Sequence, residues 1–165
     1  MGAGKTSIGK KLSKLIKFTF IDTDYLIEEK TEVNIPTIFE HEGEEGFRAR
    51  ETKILEEISN NTNTVIGTGG GIVLLPENRQ IIKSMGFVVY LTASIKELVY
   101  RTEYDKNRPL IADNNAENQI KSMLDERKEY YESTSNITIN TDNYDTVKLS
   151  KSIIKSYKTY EKDNS

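Results

Sequence analysis

The run Gly2-Ala3-Gly4-Lys5-Thr6-Ser7 constrains this chain more than any other stretch. Glycine, lysine and a hydroxyl residue in that order form the second half of G-x-x-x-x-G-K-[ST], a phosphate-binding P-loop. In such a loop successive backbone N–H groups cradle phosphate oxygens, the lysine reaches the β- and γ-phosphates, and the hydroxyl takes a Mg²⁺ position. Small residues at 2, 3 and 4 let the backbone approach an anion, and the dipole of the following helix points at it. The motif normally follows a buried strand and a first glycine, neither of which precedes Gly2 here. Alone, G-K-T is equally compatible with an ordinary helix start.

The chain has 165 residues, 36% of them hydrophobic and 30% charged, which fits one globular domain and disfavours disorder. A net charge of −3 provides no basic face for nucleic acid. No apolar run approaches the roughly 18 residues of a membrane span. The first residues are small and polar, unlike a signal peptide, and cysteine is absent. A cytoplasmic enzyme is the expectation.

Helical and strand patterns alternate along the chain. Ile8, Leu12, Leu15 and Ile16 recur at helical spacing. Phe18–Ile21 reads as a strand ending at Asp22-Thr23-Asp24, before a helix from near Tyr25 to Thr31. Ile35-Pro36 opens a short helix that Gly43 breaks, and Glu44 to Ser59 forms a longer one. Thr64–Ile66 is a brief strand running into Thr68-Gly69-Gly70-Gly71. Pro76 to Met85 is a helix, Phe87–Leu91 the clearest buried strand, and Ser94-x-x-Glu97 a capping box. A polar excursion holds Asn107-Arg108-Pro109-Leu110, then come a helix from Ala116 to Glu132, a strand at 136–140, a helix from 144 to 157 and a polar tail, 158–165. This order predicts an α/β fold: a parallel sheet covered on both faces, with ligands at the carboxyl ends of the strands. Residues 1–165 form a single domain without repeats.

Several residues have both a chemical and a bland reading. Asp22 and Asp24 end a strand, where one carboxylate could hold a metal-bound water and the other take a proton; equally, Asp24 could be an N-cap and Asp22 a turn residue. Arg48 and Arg50 could form a fork for a carboxylate, or a solvated face in which Arg48 pairs with Glu51. Three glycines after a strand could expose N–H groups to a ligand or form a tight turn. Arg108 before proline suits charge stabilisation on a loop, and Arg127 with Glu126 and Glu129 suits a surface ion pair. His41, the single histidine, has no assigned role.

Taken in order, G-A-G-K-T, F-I-D-T-D, G-E-E-G-F-R-x-x-E, T-G-G-G, R-P-L and E-R-x-x-x-Y closely resemble the shikimate kinase family, over about residues 2–147. The resemblance implies a three-layer α/β/α P-loop kinase fold with a parallel sheet like that of nucleoside monophosphate kinases. It implies transfer of the γ-phosphoryl of ATP to the 3-hydroxyl of shikimate, with Mg²⁺, in aromatic amino-acid synthesis. By residue match, Gly2, Ala3, Gly4, Lys5, Thr6 and Ser7 would hold the ATP phosphates, with Thr6 on Mg²⁺ and Asp22 supporting the metal through water. Asp24 would accept the proton of the attacking hydroxyl. Arg48 and Arg127 would clamp the shikimate carboxylate, and Gly69, Gly70 and Gly71 would donate N–H groups to the substrate. Arg108 would descend with a lid at about 103–115, Arg101 matches a position near the adenine, and about 24–59 would be the substrate-binding segment. A monomer is expected. Two departures stand out: Thr141-Asp-Asn-Tyr144 lacks the family's proline-bearing stretch, and the family's first, central strand is missing. The expectation is that the natural chain starts about ten residues earlier. The alternatives are a gluconate-kinase-like enzyme of the same fold and a degenerate, non-catalytic binding module.

Overall fold

The computed structural model describes residues 2–102 and 116–164. Its first helix, α1, spans Lys5–Ile16 and starts after Gly4, whose φ of 83° is a left-handed conformation that glycine adopts without strain. Strand β1 (Thr19–Asp22) leads directly into α2 (Thr23–Thr31). The Asp22 carboxylate accepts from the N–H groups of Asp24 at 3.2 Å and Tyr25 at 3.5 Å. Asp22, not Asp24, is therefore the N-cap of this helix. The next helix, α3, spans Ile35–Ile58 and bends at Gly43, where φ is 69° and ψ −173°. The two helices read from the sequence are thus the arms of one kinked element.

Strand β2 (Thr64–Gly67) runs into the glycine loop and a single 3₁₀ turn, Ile72–Leu74. Helix α4 (Pro76–Met85) and strand β3 (Val89–Thr92) follow. Helices α5 (Ile95–Thr102) and α6 (Ala116–Thr134) flank residues outside the described set, among them Arg108 and the expected lid. Strand β4 (Ile137–Asn140) and helix α7 (Thr146–Asp163) complete the order, with Asp145 as the α7 N-cap. Residues 158–163, read as a polar tail, continue this last helix.

Among the described residues the strands form two parallel pairs rather than one sheet. β1 pairs with β2, Thr19 opposite Thr64 and Asp22 opposite Gly67. β3 pairs with β4, Val89 opposite Ile137 and Thr92 opposite Asn140. The core is divided likewise. Ile27, Ile38, Phe47, Ile54 and Ile58 pack between α2 and α3. Ala3, Ala93, Leu98 and Ile120 join the start of the chain to α5 and α6. Leu55, Ile72 and Val73 form a third cluster. Each fully buried side chain of this kind contributes about 1.5–3 kcal/mol.

One expectation needs correcting. The apolar run at 87–91 is not a buried strand: Val89–Thr92 is half-buried throughout, and no residue of any of the four strands is fully buried. The strand pairs are packed by helices, and among the described residues each strand has a ladder partner on one edge only.

Candidate active site

Parallel pairing of β1 and β2 brings the segments after the two strands to the same edge. Asp22-Thr23-Asp24 lies at the end of one and Thr68-Gly69-Gly70-Gly71 at the end of the other. The amino end of α1 reaches this edge too, because the Thr6 hydroxyl donates to Asp22 Oδ2 at 3.0 Å. Lys5 and Thr6 therefore share a cleft with the D-T-D turn. Gly4 is confined as well as left-handed: a Cβ there would lie 2.7 Å from the Tyr144 hydroxyl.

The deepest part of the cleft is a carboxylate pair. A Cβ on Gly69 would lie 2.6 Å from Asp24 Oδ1 and 2.7 Å from Glu51 Oε1, so both acids crowd one small volume over that glycine. The Gly69 N–H donates to Thr23 Oγ1 at 3.1 Å. This corrects the expectation that Gly69 donates to substrate, since its N–H anchors the loop to α2. Glu51 is fully buried and its Oε1 has no hydrogen-bond partner among the described residues. Burial pushes its pKa up to about 7, against the pull of Arg48 and with a smaller push from the Asp24 charge. The sequence showed Glu51 as the i+3 partner of Arg48 and as the last residue of G-E-E-G-F-R-x-x-E, with no chemical role assigned. Spacing signals the pair and is silent on burial.

Arg48 donates through Nη1 to Glu51 and through Nη2 to Glu44 Oε1 at 2.9 Å. Its guanidinium lies so close over Gly71 that a side chain there would collide with it. Arg50, by contrast, pairs with Glu42 on the exposed face, as the bland reading had it. Arg127 enters from α6. Its side chain is mostly buried, its Nε lies 4.0 Å from Glu126, and that nitrogen is buried without a hydrogen bond. One turn on, the Tyr131 hydroxyl donates to the Gly70 carbonyl, and its ring stacks on Tyr90 at 4.8 Å. Burial raises the Tyr131 pKa, which keeps that donor protonated.

Arg101 is a tether. It donates to Glu97 at 2.8 Å, the Gly2 carbonyl at 3.1 Å and the Thr141 carbonyl at 2.6 Å, and it stacks over Tyr144. It joins α5, the loop before α1 and the end of β4. Ser7 is exposed in the first turn of α1.

The chemistry of these groups suits Mg²⁺. No cluster of three or more acidic or histidine ligands occurs among the described residues. Magnesium, however, keeps several waters and is held by one or two carboxylates together with substrate phosphates. The Thr6 hydroxyl and Asp22 carboxylate, already in contact, match that need.

A half P-loop beside strand-end carboxylates and a half-buried arginine defines a P-loop kinase for small molecules. The shikimate kinase family model matches residues 1–158. A shikimate kinase of Legionella pneumophila is 41% identical over 155 residues, covering 94% of this chain and 89% of that protein. One from Nitrosospira multiformis is 48% identical over 139 residues, covering 84% and 71%. The solved shikimate kinase of Acinetobacter baumannii, in complex with shikimate, superposes with a TM-score of 0.90 at 41% identity over 93% of this chain and 86% of that one. The chain belongs to the shikimate kinase family, whose members phosphorylate shikimate with ATP and Mg²⁺.

Proposed function

We propose that this chain phosphorylates the 3-hydroxyl of shikimate through the residues gathered at the β1–β2 edge, acting as a cytoplasmic monomer. The observation that carries the reading is the Thr6–Asp22 hydrogen bond. It brings the phosphate-binding turn to the same edge as the half-buried Asp24 and Arg48 and the buried Glu51 between them. When bound, Mg²⁺ draws charge from the phosphate oxygens and sharpens the electrophilic phosphorus.

In this reading the protein supplies position and charge. Lys5 and the N–H groups of the first turn of α1 hold the donor phosphates. Asp24 orients the attacking hydroxyl and takes its proton. Arg48 and Arg127 bind the substrate carboxylate, which a planar guanidinium can meet bidentately. The Gly70 and Gly71 backbone lines the substrate side, with Gly71 small enough to leave Arg48 room. Arg108, outside the described residues, is assigned charge stabilisation on the transferring group, worth ~10³–10⁵ in rate for an arginine finger.

No helix among the described residues is long and apolar enough to cross a membrane. Exposed large apolar residues are scattered over several elements, as on a monomer surface. The test is ADP release with shikimate and with gluconate. Turnover with shikimate alone is expected, and turnover with gluconate alone would reassign the substrate. Asp24→Asn should bind shikimate, yet lose at least about a hundredfold in kcat, the range of a general base. Full activity in that variant would remove Asp24 from the proton path.

A further inference from the structure

Charge is divided between two sides of the molecule. With Lys17 at the C-cap of α1, helices α1 and α7 hold ten of the chain's 23 basic residues and two of its 26 acids. Helices α2 and α3 hold ten acids against four basic residues. The net charge of −3 hides this segregation. Lys10, Lys14 and Lys17 form one stripe along α1. Lys148, Lys151, Lys155, Lys158 and Lys162 form another along α7, about 21 Å long. All eight are exposed, and none makes an ion pair among the described residues. The two helices pack side by side, with Ile8 and Ile153 buried on their inner faces.

Both helices begin at the phosphate turn. α1 starts after Gly4, and the Tyr144 hydroxyl, just before α7, would lie 2.7 Å from a Cβ on Gly4. The Lys148 N–H holds the Asp145 carboxyl below its ordinary range, and the Lys11 charge adds to the shift, which sets Lys11 near the start of α7. Lys10 and Lys14 lie about 8 and 14 Å beyond Lys5 along α1. Lys148 and Lys151 lie in the first two turns of α7. Lys17, Lys155, Lys158 and Lys162 lie toward the far ends of the two helices.

We propose that this lysine-lined face is an electrostatic guide that draws a nucleoside triphosphate onto the phosphate turn. The guide rests on the turn being the donor-nucleotide site proposed above. A triphosphate carries several negative charges and shikimate a single carboxylate, so one field sorts the two ligands. The lysine side attracts the nucleotide, and the acidic α2–α3 side repels it. Charge of one sign along an approach raises association rates by ~10–10³, and the gain falls steeply with ionic strength. Lysine suits the role because a compact charge on a flexible stem attracts an anion without demanding one geometry. At 0.1 M ionic strength exposed charges act over about 10 Å. The four lysines near the turn therefore carry the effect, and the four far ones do not.

The experiment is stopped-flow association of a fluorescent ATP analogue with the full chain, without shikimate, so that it reads nucleotide capture and not phosphoryl transfer. Two variants change net charge by the same amount. One carries Lys10→Gln, Lys14→Gln, Lys148→Gln and Lys151→Gln; the other carries Lys17→Gln, Lys155→Gln, Lys158→Gln and Lys162→Gln. At 0.1 M salt the first should associate at least about threefold more slowly than the parent, and the second should stay within about 1.5-fold of it. At 1 M salt, where screening acts within about 3 Å, all three should associate alike. Equal slowing by both sets, no slowing by the first, or slowing that survives 1 M salt would overturn the guide. A second measurement needs no variant: association with the parent should fall more steeply with salt for the ATP analogue than for its AMP counterpart, and equal slopes would refute the guide. A parent chain that captures no nucleotide would overturn the reading of the turn and the guide with it, whereas capture that is indifferent to both sets removes the guide alone.

Discussion

Glu44 meets Arg48 from the solvent side, and its Oε1 accepts from both Nε at 3.2 Å and Nη2 at 2.9 Å. A substrate carboxylate that used the same guanidinium edge would have to displace it. The Glu44 side chain is 60% exposed, so its pairing is worth at most about 1 kcal/mol. Glu44→Ala should therefore lower the KM for shikimate by up to about fivefold, with the KM for ATP unchanged in the same steady-state assay. Glu51, on the other side of Arg48, predicts a pH effect. Its folded pKa of about 7 lies above the unfolded value of 4.5, so between those values the folded chain binds more protons than the unfolded one. Its contribution to stability is full below pH 4.5, declines as pH rises to about 7, and is constant above. The decline amounts to as much as about 3 kcal/mol at 1.36 kcal/mol per unit. Glu51→Gln keeps an acceptor for Arg48 and should flatten this slope in urea unfolding followed from pH 4.5 to 8; a slope equal to that of the parent chain would refute the assignment.

At the scale of elements, α6 delivers two groups one turn apart to the substrate side: Arg127, and the Tyr131 hydroxyl that holds the Gly70 carbonyl. Tyr131→Phe keeps the ring stacked on Tyr90 and removes only this hydrogen bond. At about 1 kcal/mol for one bond, the KM for shikimate should rise roughly fivefold, with kcat and the KM for ATP little changed. An equal rise for both substrates would mean a general loosening of the fold. Most elements are legible in the amino-acid sequence. The spacing of Ile8 and Leu12, proline at the start of α4 and the Ser94 capping bond to Glu97, 3.3 Å long, are local signals with local outcomes. The features that sequence leaves open are set by distant partners. The burial of Glu51 depends on the loop over Asp24, and the tethering role of Arg101 depends on Gly2 and Thr141. The reach of α7 to Asp163 is hidden for another reason: its last turns carry Lys158, Glu161 and Lys162, a polar surface that composition alone does not tell from a tail.

At the scale of the whole molecule, the ligand groups are split between the two strand pairs. The D-T-D turn, the glycine loop and Arg48 belong to the β1–β2 side, where Ile27, Ile38 and Phe47 form the core. Ala3 packs instead with Ala93, Leu98 and Ile120 on the β3–β4 side, so the phosphate turn is anchored to a different core from the acceptor site. The Thr6–Asp22 bond is one polar link between these halves, and it is only partly shielded from solvent. A donor nucleotide held by the turn and shikimate held beside Asp24 would add contacts spanning the same division. Each ligand that binds only the folded state stabilises it by about 2.7 kcal/mol at one hundred times its Kd. For a domain of this size that raises Tm by about 5–10 °C. A ligand that holds the Thr6–Asp22 link in place prepares the site for the other, so a non-hydrolysable ATP analogue and shikimate together should raise Tm by more than the sum of the two separate shifts. The excess measures the coupling free energy between the sites. Differential scanning fluorimetry on the chain with each ligand and with both decides the matter. Strictly additive shifts would mean that the two halves act as one rigid body despite the divided sheet.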